Sequence, residues 1–510
     1  MRTLVINLTR FGDLIQTQPV LSGLAMAGDV VGLLCLDSFQ GATKLLDHDG
    51  VVLSLPGAGL LARLDQHWPL AVAQMQLVVD QARSFQPDRI VNLTPTISAR
   101  LLARALDMGE SQGFTLDEMG FGRYSTSWAA FLQAASAYRG CSPFNLVDLF
   151  QRVAGLDPGP FVLKQPGDAA MSEADSLLEG ASPLVAFQLG ASQDYRRWPV
   201  SAFVRAGRRL WAETGCRPVL LGTAGESGLA DSFRQQADYP FLDLTGRTSL
   251  TILAAVLRRM KLLLTNDTGT MHLAAGLGVP VVAVFLGTAQ PFDTGPYLES
   301  SLSLEPDMDC HPCSFGVGCP HGLGCRQAID PDAVGRLLTG FVQRGEWSRM
   351  DGGGARLWQA RRDGRGYMDL ASLSGHDGQP RTLWIRIQRE AYRQFLDQRL
   401  RAVQPAEAAT PPFWAEGLVE ELGRALLLLT LIEEQGRLLR LKPIASLRAK
   451  FLVNCQNLQD IFSANSALGV LGHLWRYQSQ AQAASLDDFL ELCSGYRNLL
   501  NVLQQQVMLA

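Results

Sequence analysis

Long apolar runs are missing from this sequence, and so is any large excess of one charge. The most apolar stretch, Ala425 to Ile432, is flanked by Arg424 and Glu433 and falls far short of the roughly 20 residues that a membrane-spanning helix needs. The opening MRTLVINLTRFGD is interrupted by Asn7, Arg10 and Asp13, too short and too polar for a secretory signal. Both absences lead us to expect a cytoplasmic protein. A net charge of −4 over 510 residues supplies no basic bulk for nucleic acid, which is not expected as a partner. A GxxxxGK(S/T) phosphate loop and a GxSxG nucleophile elbow are both absent, so nothing supports P-loop hydrolysis or an α/β-hydrolase triad. No fixed-period repeat occurs. The nine cysteines are an odd number in an apparently unsecreted chain, which favours thiols or metal ligands over disulfides.

What is present is apolar and alternating. With 47% hydrophobic residues the chain can bury sizeable cores, and its length suggests two or three domains. Thr3 to Leu8, Val30 to Leu36, Val51 to Leu55 and Arg89 to Leu93 read as strands, with helices over Leu14 to Ala27, kinked at Pro19, and Leu70 to Phe85. Prolines and glycines from Pro158 to Pro183 mark a junction. The pattern then restarts with strands at Leu184 to Leu189 and Arg217 to Leu221, and helices over Ser201 to Thr214 and Leu229 to Gln236. This predicts α/β domains, each a parallel sheet wound on both faces, with ligands beyond the carboxyl ends of the strands. From Glu346 the texture changes. Asp363-Gly364 predicts a β-hairpin within Leu357 to Leu373, and from Thr382 the chain reads as amphipathic helices such as Gly417 to Leu441 and Leu486 to Leu509. The expected boundaries are 1–165, 180–345 and 346–510.

The stretch around which the rest is organised is Thr265 to Pro280, TNDTGTMHLAAGLGVP, between two apolar runs. It reads as the turn and short helix of a βαβ unit. Thr268, Gly269 and Thr270 stand where unpaired N–H groups and the positive helix end attract an anion, most simply a phosphate. Asp267 and His272 add a carboxylate and a titratable ring at the same mouth. On these residues alone, Asp267 and Thr268 could equally cap the helix and His272 could belong to a core.

This segment, continued as VVAVFLGT and on to Pro296-Tyr297, closely resembles the donor-site signature of glycosyltransferase family 9, the ADP-heptose:lipopolysaccharide heptosyltransferases. That family more often has Ser at the place of Thr268 and Pro at that of Thr270. NLTRFGDLIQTQPVL resembles the family's opening through Gly12, Asp13 and Pro19, with Arg10 in the same acceptor-side loop. GASQDYRRWPVSAF resembles a segment in which a cation precedes Trp-Pro; it brings Ser192 and Arg196, beside Arg197, and Arg196 takes the place of a donor-binding Lys. LLGTAGE brings Glu226, which the resemblance assigns to the donor nucleoside. It covers about the first two thirds of the chain.

The resemblance implies the GT-B architecture, two doubly wound Rossmann-like domains, here with a C-terminal mainly helical extension. It implies an inverting glycosyltransferase that moves heptose from ADP-heptose to a lipopolysaccharide-core hydroxyl. Asp13 would be the catalytic base, and Ser192, Arg196, Glu226, Asp267, Thr268, Gly269, Thr270 and His272 would bind the donor. No cofactor is required for such transfer. The acceptor would be a lipid-linked saccharide at the inner face of the membrane, with the protein peripheral there. The helical tail, outside the resemblance, reads as a bundle for packing, self-association or protein binding, with a lipid-surface role as the lesser alternative. Two other readings stay open: a non-catalytic nucleotide-sugar-binding scaffold working through its tail, and a dinucleotide oxidoreductase using the Gly57-Ala-Gly59-Leu-Leu-Ala62 fingerprint. Finally, Cys310-x2-Cys313-x5-Cys319-x5-Cys325, with His311 and His321 among them, has residues for a tetrahedral zinc site but lacks the second short CxxC knuckle.

Overall fold

The computed structural model describes residues 1–106, 109–138, 142–180, 183–400, 412–481 and 485–509. They form two compact units. The first combines Met1–Gln112 with Phe144–His376, and the second Gly113–Pro143 with Asp377–Ala510.

In the first unit, β1 (Arg2–Asn7), β2 (Val30–Leu36), β3 (Val52–Leu55) and β4 (Arg89–Asn92) run parallel in the order β3-β2-β1-β4. Val5 of β1 sits between Leu33 of β2 and Val91 of β4. β1 is buried almost throughout because a central parallel strand is covered on both faces. The single helix expected from Leu14 to Ala27 is two, Phe11–Ile15 and Gln18–Met26. Pro19 opens the second rather than kinking it, since the first helical turn does not use the N–H that proline lacks. The helix expected from Leu70 is the second part of a longer run, Gly57–Ser84, which breaks at His67 ahead of Pro69.

A second sheet carries the candidate site. After the short antiparallel pair β5 (Glu110–Leu116) and β6 (Gly122–Tyr124) come β7 (Leu184–Gln188), β8 (Arg217–Leu221), β9 (Leu242–Asp243), β10 (Leu263–Asn266), β11 (Val281–Val284) and β12 (Leu302–Pro306). The hairpin signalled by Asp363-Gly364 forms as β13 (Ala355–Arg362) and β14 (Met368–Ser372). The order is β14-β13-β12-β11-β10-β7-β8-β9, parallel from β12 to β9 and antiparallel at the hairpin. Pairing of Leu304 with Leu357 shows the hairpin covering what would be an open edge. Its turn is fastened by Asp363, whose carboxylate accepts from the N–H groups of Arg365 and Tyr367.

The second unit is mainly helical. Helix Ser127–Ala137 packs with Pro380–Leu396 and Gly469–Ala481, and Glu416–Leu441 packs with Ala445–Ala464 and Leu486–Leu509. Aromatic side chains fill its core: Phe131 meets Tyr392 at 5.7 Å and Trp475 meets Tyr496 at 5.0 Å between ring centres. Buried Glu433 is paired with Arg497 and Arg437, and burial raises its pKa. Residues 401–411 and 482–484 of the expected helical stretch lie outside the described residues. Among the described residues, no helix is long and apolar enough to cross a membrane.

Candidate active site

Beyond the carboxyl ends of β7, β8 and β10 lies a cleft of about 860 Å³, within the usual range of roughly 300–1,000 Å³ for ligand sites. Asp267, Thr268, Gly269 and Thr270 line it, as do Ser192 and Glu226. Thr268 stands at the N-cap of helix Gly269–Gly276, yet no side chain caps that helix. Its hydroxyl instead meets that of Thr265 at 3.1 Å. The first N–H groups of the helix are therefore left for a ligand, and the dipole there favours negative charge.

Asparagine and glutamine at strand ends hold the walls. Asn266, closing β10, donates to the carbonyls of Leu189 and Gly190 at 3.0 and 2.9 Å and accepts from the N–H of Trp198 at 2.9 Å. This pins the loop that carries Ser192 and Arg196. Arg196 is ion-paired with Asp267, and its Nη1 lies 3.5 Å from the Ser192 hydroxyl. Arg196 does not itself line the cleft; it backs the residue that does. Glu226 accepts from the Thr223 N–H at 2.7 Å and its hydroxyl at 3.0 Å. Gln188, closing β7, joins Glu226 and Thr270, each at 3.4 Å. A Cβ on Gly190 would overlap the Glu226 carboxylate, so the close approach needs glycine there.

The first half of the chain supplies the opposite wall through Phe11, Phe39 and Ala42. Gly269 accommodates the Phe11 ring, and a Cβ on Gly12 would come within 3.1 Å of the His272 ring. Helices Phe11–Ile15 and Gly269–Gly276 thus meet through glycines. Asp13 is half-buried in this same turn, where its carbonyl accepts from buried Asn7 at 3.4 Å and Thr17 at 3.2 Å. Exposed Arg10 is the N-cap residue of its helix. Neither Arg10, Asp13 nor His272 lines the cleft.

His272 is buried against Gly12, and burial pulls its pKa down to about 4, with only partial opposition from Asp267. It is neutral at pH 7. The unfolded chain takes up this proton first, near pH 6.5, so stability is complete above that value and declines as pH falls toward 4. We expect a loss of about 2 kcal/mol from this ring by about pH 5. Urea unfolding at neutral and acidic pH should show a shallower acid limb in His272→Asn, and an unchanged limb would assign the acid sensitivity to other groups.

The structure gives the zinc reading of the cysteine cluster no support. Cys310, Cys313, Cys319 and Cys325 are free thiols around a cavity of about 190 Å³. Among the described residues, no group of three or more His, Cys, Asp or Glu is placed to hold a metal ion. Burial raises the pKa of Cys313 and Cys325, and the neighbouring cysteines add to this. Gly57 and Gly59 open the long helix Gly57–Ser84 and do not line the large cleft, so the dinucleotide reading gains no support.

Sequence reasoning missed Gln188, Asn266 and Phe11. The first two carried a usable signal, being polar residues that end otherwise apolar strands at the edge where α/β sheets bind ligands.

Two α/β sheets and a nucleotide-sized cleft beside an open helix start define the GT-B class of architecture. Residues 144–318 match the model of glycosyltransferase family 9 (heptosyltransferase). Lipopolysaccharide heptosyltransferase 2 of Salmonella typhimurium is 32% identical over 136 residues, 26% of this chain and 38% of that protein. Lipooligosaccharide heptosyltransferase 2 of Haemophilus influenzae is 26% identical over 154 residues, 28% of this chain and 44% of that protein. The chain thus spans less than half the length of these curated relatives. The structure of Escherichia coli ADP-heptose lps heptosyltransferase II shares the fold, with a TM-score of 0.50 at 17% identity over 68% of this chain and 99% of that one.

Proposed function

We propose that this protein is an inverting glycosyltransferase that moves heptose from ADP-heptose to a hydroxyl of a lipopolysaccharide-core acceptor. The observation that carries this reading is the uncapped start of helix Gly269–Gly276 inside the large cleft. The diphosphate would lie over Gly269 and Thr270. Arg196, ion-paired with Asp267, neutralises the carboxylate that faces the cleft, so that it does not oppose the phosphate that gains charge as the glycosidic bond breaks. Glu226, anchored by Thr223 through one oxygen, would accept from ribose hydroxyls through the other, which also takes the Gln188 amide at 3.4 Å.

Asp13 would take the proton of the acceptor hydroxyl as its oxygen attacks the anomeric carbon. The bond from that carbon to phosphate breaks as the new C–O bond forms on the opposite face. ADP leaves, and the configuration inverts. With the helix start offering its positive end and the arginine neutralising Asp267, no metal ion is assigned a part. The relative from Escherichia coli acts on ADP-heptose by its description, and the curated relatives are heptosyltransferases of lipopolysaccharide and lipooligosaccharide. A lipid-linked acceptor would bring the chain to the inner face of a membrane.

Thermal unfolding with ADP, ADP-heptose, UDP and NAD in separate samples tests the donor site. A ligand at a hundred times its dissociation constant should add about 2.7 kcal/mol to stability. We expect this from ADP and ADP-heptose. Stabilisation by NAD alone would overturn the reading, and donor binding without transfer to any core saccharide would favour a scaffold.

A further inference from the structure

The hairpin of helices Glu416–Leu441 and Ala445–Ala464 ends in a tip whose composition departs from the rest of the chain. Between Glu434 and Asp460 there is no acidic residue, while Arg437, Arg440, Lys442, Arg448 and Lys450 contribute five positive charges. The whole chain carries −4. All five cations are exposed. Arg437 is paired with Glu433 and Glu434, and Arg440 with Asp487. Lys442, Arg448 and Lys450 have no partner among the described residues.

These cations are not explained by the helices that carry them. Arg440, in the last turn of its helix, suits the negative dipole end. Arg448, by contrast, closes the first turn of Ala445–Ala464, where positive charge opposes the dipole, and Lys450 follows in the second turn without an acidic neighbour. A placement that costs helix stability points to an external anion. Apolar side chains are interleaved with the cations and left in solvent: Leu441 is 79% exposed, Leu452 56% and Ile444 46%, and Leu438 and Val453 are exposed as well. A soluble polyanion would satisfy the charges and leave these five side chains in water. A layer with charged heads above hydrocarbon satisfies both.

We propose that this helical tip is a docking site for the surface of an anionic lipid bilayer, with Lys442, Arg448 and Lys450 at the headgroups and Leu441, Ile444 and Leu452 entering the acyl boundary. The site belongs to the second unit and needs no residue of the donor cleft.

Co-sedimentation of the full chain with phosphatidylglycerol–phosphatidylcholine vesicles, against phosphatidylcholine alone, tests the proposal. Binding should require the anionic lipid and weaken as salt is raised. Lys442→Ala/Arg448→Ala/Lys450→Ala should bind about 10²-fold more weakly, and Leu441→Ser/Ile444→Ser should also lose binding, with circular dichroism unchanged in both. Equal binding to neutral vesicles, full binding by the triple variant, or a shift of duplex DNA without vesicle binding would overturn the proposal. Asp13→Asn should keep full vesicle binding while losing transfer, so failure of the docking site and failure of the enzymatic reading are told apart.

Discussion

Asp13→Asn is expected to lower turnover with ADP-heptose and a core acceptor by about 10²-fold or more, the usual contribution of a positioned general base, while leaving the donor dissociation constant within a factor of about two. The amide is nearly isosteric, and Asp13 is held through its carbonyl by Asn7 and Thr17, so the turn should keep its form. What changes is the capacity to accept a proton. Steady-state rates combined with calorimetric titration of ADP separate the two effects. Wild-type turnover would remove Asp13 from the mechanism, whereas a parallel loss of ADP binding would make it a structural element of the donor wall.

Arg196→Ala is expected to weaken ADP binding by roughly 10²-fold, about 2.7 kcal/mol. The side chains of Arg196 and Asp267 are only 14% and 10% exposed. Removing the arginine leaves a carboxylate with little water around it, beside the place where phosphates would sit. Such an orphaned charge opposes an anionic ligand and also destabilises the fold. Arg196→Ala/Asp267→Asn should therefore recover part of the lost affinity, although neither position then carries a charge. Titration of ADP into the single and double variants checks this. An unaltered dissociation constant in the single variant would move the diphosphate away from this pair.

Much of this arrangement is legible in the residues themselves. The strands flanking Thr265 to Pro280 are continuous apolar runs because they are covered on both faces, and a short turn rich in threonine and glycine between such runs has few other uses. The uncapped state of Thr268 was not legible, since a threonine at an N-cap position ordinarily caps. Only the competing contact with Thr265 decides it. His272 looked like a polar group at the mouth, yet it is buried against Gly12, a residue remote in sequence whose approach no local pattern encodes. The two-part helix after β1 shows the same limit: apolar periodicity runs through Leu14 to Ala27, but Asn7, buried at the strand end, bonds to Thr17 at 2.6 Å and ties down the break. The cysteine spacing, finally, describes which ligands are available and not whether their sulfur atoms converge.

The second unit is assembled from two stretches that the ribosome makes far apart in time. Trp128 donates to Asp397 across 269 positions and Tyr138 to the Ser466 carbonyl across 328. Helix Ser127–Ala137 emerges early, with Phe131 awaiting Tyr392 and no finished core to enter. It must remain unpacked while the second sheet of the first unit is synthesised, and close only when the last helices arrive. Such long-range closure is slow and leaves apolar surface open to wrong partners. The helical tail is therefore the late half of a unit begun in the first third of the chain, and no single cut separates it.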